Sequence, residues 1–385
     1  MRWRQFASVE RYFTYGLLLF VLAFISLPSS KAVNNFYYVF LGLPGLWLLL
    51  RNRWPAAQST LLLWLWVIFL LWTLVASVQV ATFQYLKHWL YTAVFCGLTL
   101  LLVDHRFFRR DSVIHWLFIA VLVYMLLGTL YLWLAGLYVP GARVNMPMRL
   151  GSPTYASIVL VAFFSMVMFQ LIRSHSWGLL GFYAVLVLFV AGYILQSRAG
   201  VLGLMMVIGS VALYWLWSAR KWWIRLSLVF VGLVAAIGVG YLFEAVSTFE
   251  RLIERADAGR FELWKAHFQA FRDCHAWLGC APAHFEGITT YGGQLLVEHP
   301  HNVLFSVLLY HGWVGFFLFS AILILTLMSA SRQRNPWGLF LLIGLLMLMF
   351  EGGGLIDQPN ELWLLVLMPC MLILAENTRA RFTVG

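Results

Sequence analysis

Residues 113–136 read VIHWLFIAVLVYMLLGTLYLWLAG, an unbroken run with no Asp, Glu, Lys or Arg. A helix rises about 1.5 Å per residue, so about 20 apolar residues cross the hydrocarbon core of a bilayer. A helix on the surface of a soluble domain keeps one polar face, and this run has none. Its surroundings are therefore lipid. The pattern recurs on both sides of it. Apolar runs lie at about 13–29, 34–50, 58–78, 81–103, 113–136, 153–172, 177–197, 200–218, 226–244, 302–330, 336–354 and 361–376. Twelve such runs predict an all-α polytopic membrane protein, with short gaps that make neighbouring helices antiparallel hairpins. The exception is one long gap, 245–301.

Composition agrees. Of the 385 residues 62% are hydrophobic and 11% charged, against about 45–50% and about 25% in soluble domains. A disordered chain, a collagen-like chain and an ordinary soluble globule are excluded. The 19 Trp suit the two membrane interfaces. A net charge of +11 would suggest nucleic acid in a soluble protein. Here sixteen of the 26 Lys and Arg stand at the termini and in the short loops on their side, whereas the short loops opposite hold only Lys31, Arg143, Arg149 and Arg198. That bias predicts cytoplasmic termini and an external long loop, which by its length is exempt from the rule. The charge is thus a topology signal, and no nucleic acid partner is expected. The first run has basic residues ahead of it but no small-residue cleavage site after it, and reads as an uncleaved helix. The chain reads as a single transmembrane domain over 1–385, with the loop 245–301 inserted between the ninth and tenth spans.

Cys274 and Cys280, in CHAWLGC, share the external loop; six residues of separation leave open whether they bond. Cys96 and Cys370 lie in spans, as inert apolar groups. Glu298, His299 and His301 in EHPH invite a metal, but no third His or Cys follows at ligand spacing and there is no HExxH. No metal and no cofactor are expected.

In so apolar a chain, cations at the membrane edge are costly and mark function. Arg198, in QSRAG, stands at the external edge with almost no loop around it; the alternative is an interfacial arginine that snorkels. Arg260 opens GRFELWKAHFQAF, where Phe261, Trp264, Phe268 and Phe271 predict one face of an amphipathic helix. It stands where a helix N-terminus favours anions, or else pairs with Asp257 or Glu262. His301 begins the tenth span, in HPHNVLFSVLLYHGWVG, where an imidazole keeps contact with water and can move a proton near neutral pH; a solvated helix-start ring is the bland alternative. Asn302 and Glu298 are candidates to orient it. Lys87, Arg143 and Arg149 are candidates for a second anionic group, and His88 lies beside Lys87. Tyr155, Glu351 and Asp357 are secondary candidates, the last two flanking a GGG that reads as a flexible external turn.

SRAG at a helix corner, GRFELWKAHFQAF in a long external loop and HPHNVLFSVLLYHGWVG at a helix start resemble the O-antigen ligase and O-antigen polymerase superfamily. By motif the resemblance covers about residues 150–330. It implies a multi-pass glycosyltransferase of the bacterial inner membrane whose site faces the periplasm. The implied donor is a glycan on undecaprenyl diphosphate and the implied acceptor lipid A–core oligosaccharide, with no metal and no nucleotide sugar. The family's two essential arginines match Arg198 and Arg260, and its essential histidine matches His301, with His299 as second choice. Arginine suits a diphosphate leaving group because guanidinium stays charged and grips two oxygens at once. The expected reaction is transfer to the core, as a ligase. The alternatives are a polymerase that extends lipid-linked repeats, a protein O-oligosaccharyltransferase, and a transporter of polyprenyl-linked glycan. The chain ends about nine residues after its last span, which speaks against the protein glycosylation branch. The absence of an evident repeat speaks against the transporter.

Overall fold

The computed structural model describes residues 3–51, 59–77, 82–218, 259–281, 287–290 and 295–379. Their helices are α1 (Trp3–Ser26), α2 (Ser30–Arg51), α3 (Leu61–Ser77), α4 (Phe83–Leu101), the single turn α5 (His105–Phe108) and α6 (Asp111–Leu134). Then follow α7 (Pro153–Arg173), α8 (Trp177–Ile194), α9 (Arg198–Ser218) and α10 (Arg260–Arg272). The last three are α11 (Val303–Gln333), α12 (Trp337–Leu348) and α13 (Trp363–Thr378). One antiparallel ribbon, β1 (Ile288–Thr290) with β2 (Leu295–Val297), completes the described elements. The fold is all-α and polytopic, as the hydropathy predicts. Six of the helices are long and apolar enough to cross a membrane, and four more are apolar but shorter. The ninth predicted run, 226–244, lies outside the described residues, and so does 245–258 of the long loop.

α7 is the most buried of the long helices. Pro153 sits at its first position, where a missing N–H costs nothing. Apolar on every side, it packs against α6, α9 and α12. The start of α13 is its counterpart. Trp363 is fully buried, and its ring stands 4.7 Å from that of Phe95 and 5.1 Å from that of Tyr37. α11 lies along α3. Large side chains such as Trp116, Leu127 and Leu134 of α6 face outward, as lipid-facing positions do.

The polar groups gather at the two ends of the bundle. At one, Arg109 pairs with Glu376, Arg173 Nη2 is 2.7 Å from Asp111 Oδ2, and the Asp104 amide donates to Thr14 Oγ1. The first half of α1 and the end of α13 therefore meet the same turn. At the other end lie QSRAG, the start of α11 and the segment 349–361. α12 stops at Leu348, short of the predicted 354, so Glu351 stands outside the helix.

The GGG of residues 352–354 is a correction. Expected to be a flexible turn, it is held from both sides. Gly352 is buried, with φ +130°, and a side chain there would meet Val303 at 3.2 Å. Its carbonyl accepts from Ser306 Oγ, and Asn360 Nδ2 donates to the Gly354 carbonyl.

Candidate functional site

The segment 349–361 carries three acidic side chains, and each meets a basic group from a different element. Glu351 Oε1 is 2.8 Å from His301 Nδ1, Asp357 Oδ1 is 3.1 Å from His88 Nδ1, and Glu361 forms a two-pronged pair with Arg149. This segment is the hub that joins the start of α11 to α4 and to the 137–152 loop.

His301 enters the site on a left-handed backbone, φ +50°, just before the N-cap of α11. Such a conformation costs about 1–3 kcal/mol and persists only where its surroundings enforce it. Asn302 is that surrounding. Its Oδ1 accepts from the Phe305 amide at 3.0 Å, and its Nδ2 donates to the Met349 carbonyl at 3.1 Å. The His301 amide donates to His299 Nδ1 at 3.3 Å.

Burial alone would push the Glu351 carboxyl up. The hydrogen bond from His301, with the nearby Arg260 guanidinium, outweighs it and holds the carboxyl below its ordinary range. An ionised carboxylate only accepts. The proton of the His301–Glu351 hydrogen bond therefore sits on Nδ1 of the ring. The His301 side chain is 34% exposed and Glu351 only 12%, so the ring reaches solvent while the carboxylate stays covered. Burial lowers His299 to about 4, with His301 pressing in the same direction, so its ring is neutral at pH 7.

α10 lies over this site. Gly259, at φ +71°, turns the chain into it. The Arg260 guanidinium lies 5.7 Å from the centre of the Phe350 ring and is near enough to Glu351 to lower it. Trp264 stacks on the same Phe350, and its Nε1 donates to the Pro300 carbonyl at 2.8 Å. The predicted helix is present, but its buried face is Leu263, His267 and Phe271, whereas Phe261 is 67% exposed. His267 is a residue the sequence reading did not single out. It is fully buried, and burial, with the charge of His301, lowers it.

Arg198 begins α9 at a tight corner. Gln196 has φ +45° and donates through Nε2 to the Gly141 carbonyl at 2.8 Å. Ser197 Oγ accepts from the Gly200 amide at 3.1 Å and from Ser157 Oγ at 2.6 Å. Bare Gly203 lets α9 approach α12 so closely that a side chain there would strike Met347. Gly203 lies near the start of α9 and Met347 near the end of α12, so this approach brings the first turns of α9 against the end of α12.

The remaining candidates spread around this core. Arg149, with Glu361 7% exposed beneath it, is held on both sides of its fork. Tyr155 is within electrostatic reach of Arg149, Glu361 and Glu351. Arg143 is exposed, with Nη2 3.1 Å from Thr154 Oγ1. Lys87 lies 5.8 Å from the centre of the Tyr91 ring, and no carboxylate of the described residues is within salt-bridge distance of it. Among the described residues no hydrogen bond joins the Glu298 side chain to His301; the Glu298 carbonyl accepts from Tyr310. Cys274 and Cys280 are joined by a disulfide. Among the described residues no group of three His, Cys, Asp or Glu is arranged to hold a metal ion.

Glu351 is the site residue that the sequence reading underrated. Its one sequence signal is a carboxylate just past the external end of an apolar helix; its pairing with a residue fifty positions away is a matter of packing.

Residues 182–320 match the family model described as O-antigen ligase. An O-antigen ligase of Pseudomonas aeruginosa is 30% identical over 194 residues, which cover 48% of this chain and 45% of that protein. The chain thus spans under half the length of this curated relative. The matched region holds Arg198, Arg260, His299, His301 and Asn302; Lys87, Arg143, Arg149 and Glu351 lie outside it. Over residues 182–320, then, the chain is similar to the O-antigen ligase family.

Proposed function

We propose that this protein is a multi-pass glycosyltransferase that moves a glycan from undecaprenyl diphosphate to a hydroxyl of lipid A–core oligosaccharide, on the periplasmic face of the bacterial inner membrane. The observation that carries this is the convergence of His301, Glu351 and Arg260 at one end of the bundle. It joins a base with an open nitrogen to a guanidinium in a largely buried setting.

In this reading the acceptor oxygen attacks the anomeric carbon as its proton passes to His301 Nε2. The bond from that carbon to the diphosphate oxygen breaks, and the diphosphate leaves with the electron pair. Arg260 and Arg198 receive the growing negative charge, which stationary guanidinium groups in low dielectric do well. Glu351 holds the Nδ1 tautomer and stabilises the imidazolium. Asn302 and His299 position His301, and do so through the backbone. Arg149, held by Glu361, and Arg143 and Lys87 border the site as further cationic contacts for the glycan or the phosphates. Direct displacement inverts the anomeric carbon.

The lipid tail needs an apolar path. A groove of about 710 Å³ runs between α1 and α6, lined by Leu19, Leu22, Leu27, Val123, Leu127 and Met148 among others. The Arg149 amide donates to the Leu27 carbonyl at 2.9 Å, so the groove adjoins the loop that carries Arg149. This supports the groove as the seat of the polyprenyl chain.

The test is reconstitution. Purified protein given only lipid-linked glycan and core acceptor yields a joined product under this reading. Glycan moved between leaflets with no new bond would mean a transporter, and longer lipid-linked glycan with an unmodified core would mean a polymerase.

Two expected results belong here. Glu351→Gln keeps an acceptor for Nδ1–H but removes the charge. The imidazolium that forms during transfer then lacks its counter-charge, and turnover falls roughly tenfold, about 1.4 kcal/mol of transition-state stabilisation, while lipid-linked donor still binds; unchanged turnover would remove Glu351 from the proton transfer. Chelator leaves transfer unchanged, because the arginines carry the leaving-group charge; activity lost and then restored by a divalent ion would contradict this.

A further inference from the structure

α11 is not continuous. At Gly312 the backbone turns to φ +66° and ψ −171°, which breaks the helical hydrogen-bond ladder. Freed peptide groups in an apolar span need partners. The loop CHAWLGC supplies them. The Cys280 amide donates to the Leu309 carbonyl at 2.7 Å and the Ala281 amide to the Tyr310 carbonyl at 3.2 Å, while the Trp313 amide donates to the Ala276 carbonyl at 3.0 Å. The hairpin is closed by the Cys274–Cys280 disulfide and turned at Gly279, φ +80°. The fit leaves no room for side chains. A Cβ at Gly312 would stand 2.1 Å from the Trp277 carbonyl oxygen, and one at Gly279 2.6 Å from the Gly312 nitrogen. Trp72 of α3 donates to the His311 carbonyl at 3.0 Å and so ties the break to the bundle.

This hairpin is the direct continuation of α10. The Cys274 amide donates to the Phe271 carbonyl at 3.1 Å, and the Phe271 and Trp313 rings meet edge to face. Arg260 is the first residue of that helix.

We propose that the disulfide-closed hairpin 274–281, seated in the Gly312 break, is a positioning element for Arg260. It rests on the reading that Arg260 serves the diphosphate. The hairpin fixes the C-terminal end of α10, and so the place of the guanidinium at the other end. At about 1.5 Å per residue, α10 spans about 18 Å. A tilt of about 5° at the hairpin then displaces Arg260 by about 1.6 Å by simple leverage, and about 1 Å of misplacement can cost about 100-fold in rate. Trp264, anchored on Phe350 and Pro300, resists the tilt, so the expected loss is nearer tenfold.

The experiment uses the full-length protein in detergent or vesicles. Folded wild-type protein is treated with a phosphine reductant, assayed for transfer, and reoxidised. The expected result is a roughly tenfold loss of turnover that returns on reoxidation. Cys274→Ser/Cys280→Ser should start at the lowered rate and ignore the reductant, which separates the hairpin from the buried thiols Cys96 and Cys370. Gly312→Ala, with the disulfide intact, should show the same loss. In an Arg260→Lys background, neither reduction nor Gly312→Ala should cost anything further, whereas in a Glu351→Gln background both should cost the full factor. Full activity after reduction overturns the proposal, as does an equal loss in the Arg260→Lys background. If Arg260→Lys itself transfers at the wild-type rate, the role given to Arg260 fails instead.

Discussion

His301→Ala abolishes transfer while lipid-linked donor still binds. General base catalysis is worth about 10²–10⁴ in rate, and no other nitrogen at the site can take over. His299 uses Nδ1 to accept from the His301 backbone and is neutral and largely covered. His267 is wholly buried, with its Nδ1 at the Leu263 carbonyl. The cationic groups proposed to meet the diphosphate are untouched by the substitution, so donor affinity is expected to survive. Binding of radiolabelled donor and single-turnover transfer, measured on the same preparation, separate the two quantities. Turnover near wild type in His301→Ala would transfer the role to His299 or discard it. Loss of binding and turnover together would mean that the ring holds the substrate, not the proton. His301→Gln is the sharper control, because it keeps size and polarity without a base.

Arg260→Lys and Arg198→Lys fail nearly as badly as the corresponding alanine variants. Removal of one donor to a developing anion costs about 10²–10³ in turnover. Lysine retains the charge but not the planar fork that grips two phosphate oxygens, and its ammonium is more strongly hydrated. For Arg260 there is a second loss. Its guanidinium lies on the Phe350 ring and shares that ring with Trp264, a stacked setting in which lysine is a poor substitute. The measurement is transfer at saturating donor, with the reciprocal of KM as a second readout. A clamp that grips the transition state lowers turnover at little cost in KM. Near-normal turnover by either lysine variant counts against a diphosphate clamp at that position.

Several of the candidate residues were visible along the chain. Arg198, Arg260 and His301 stand out because arginine and histidine are rare and costly beside so much apolar sequence. Aromatic spacing predicted α10, and the start of α11 was visible in HPHN. The face that α10 buries was not. Phe261 belongs to the aromatic stripe but stays exposed, because the helix rotates to cover Leu263, His267 and Phe271 and leaves Phe261 and Phe268 outside. Arg149 looked like a free external cation and is instead forked onto Glu361, and Asn302, a candidate to orient His301, spends its amide on the backbone of two elements.

Hydropathy, helix lengths, the charge bias between loops and the rare polar residues belong to the sequence alone, because each depends on a window of at most about 20 residues against a uniform lipid solvent. Which polar groups meet is a different kind of fact. Glu351 finds His301 across fifty positions, Glu361 finds Arg149 across 212, and the hairpin finds its seat in a helix broken at one glycine. These pairings are set by how α7, α9, α11, α12 and α13 pack, since a buried charge or a freed peptide group must take whatever partner the packing brings within about 3 Å.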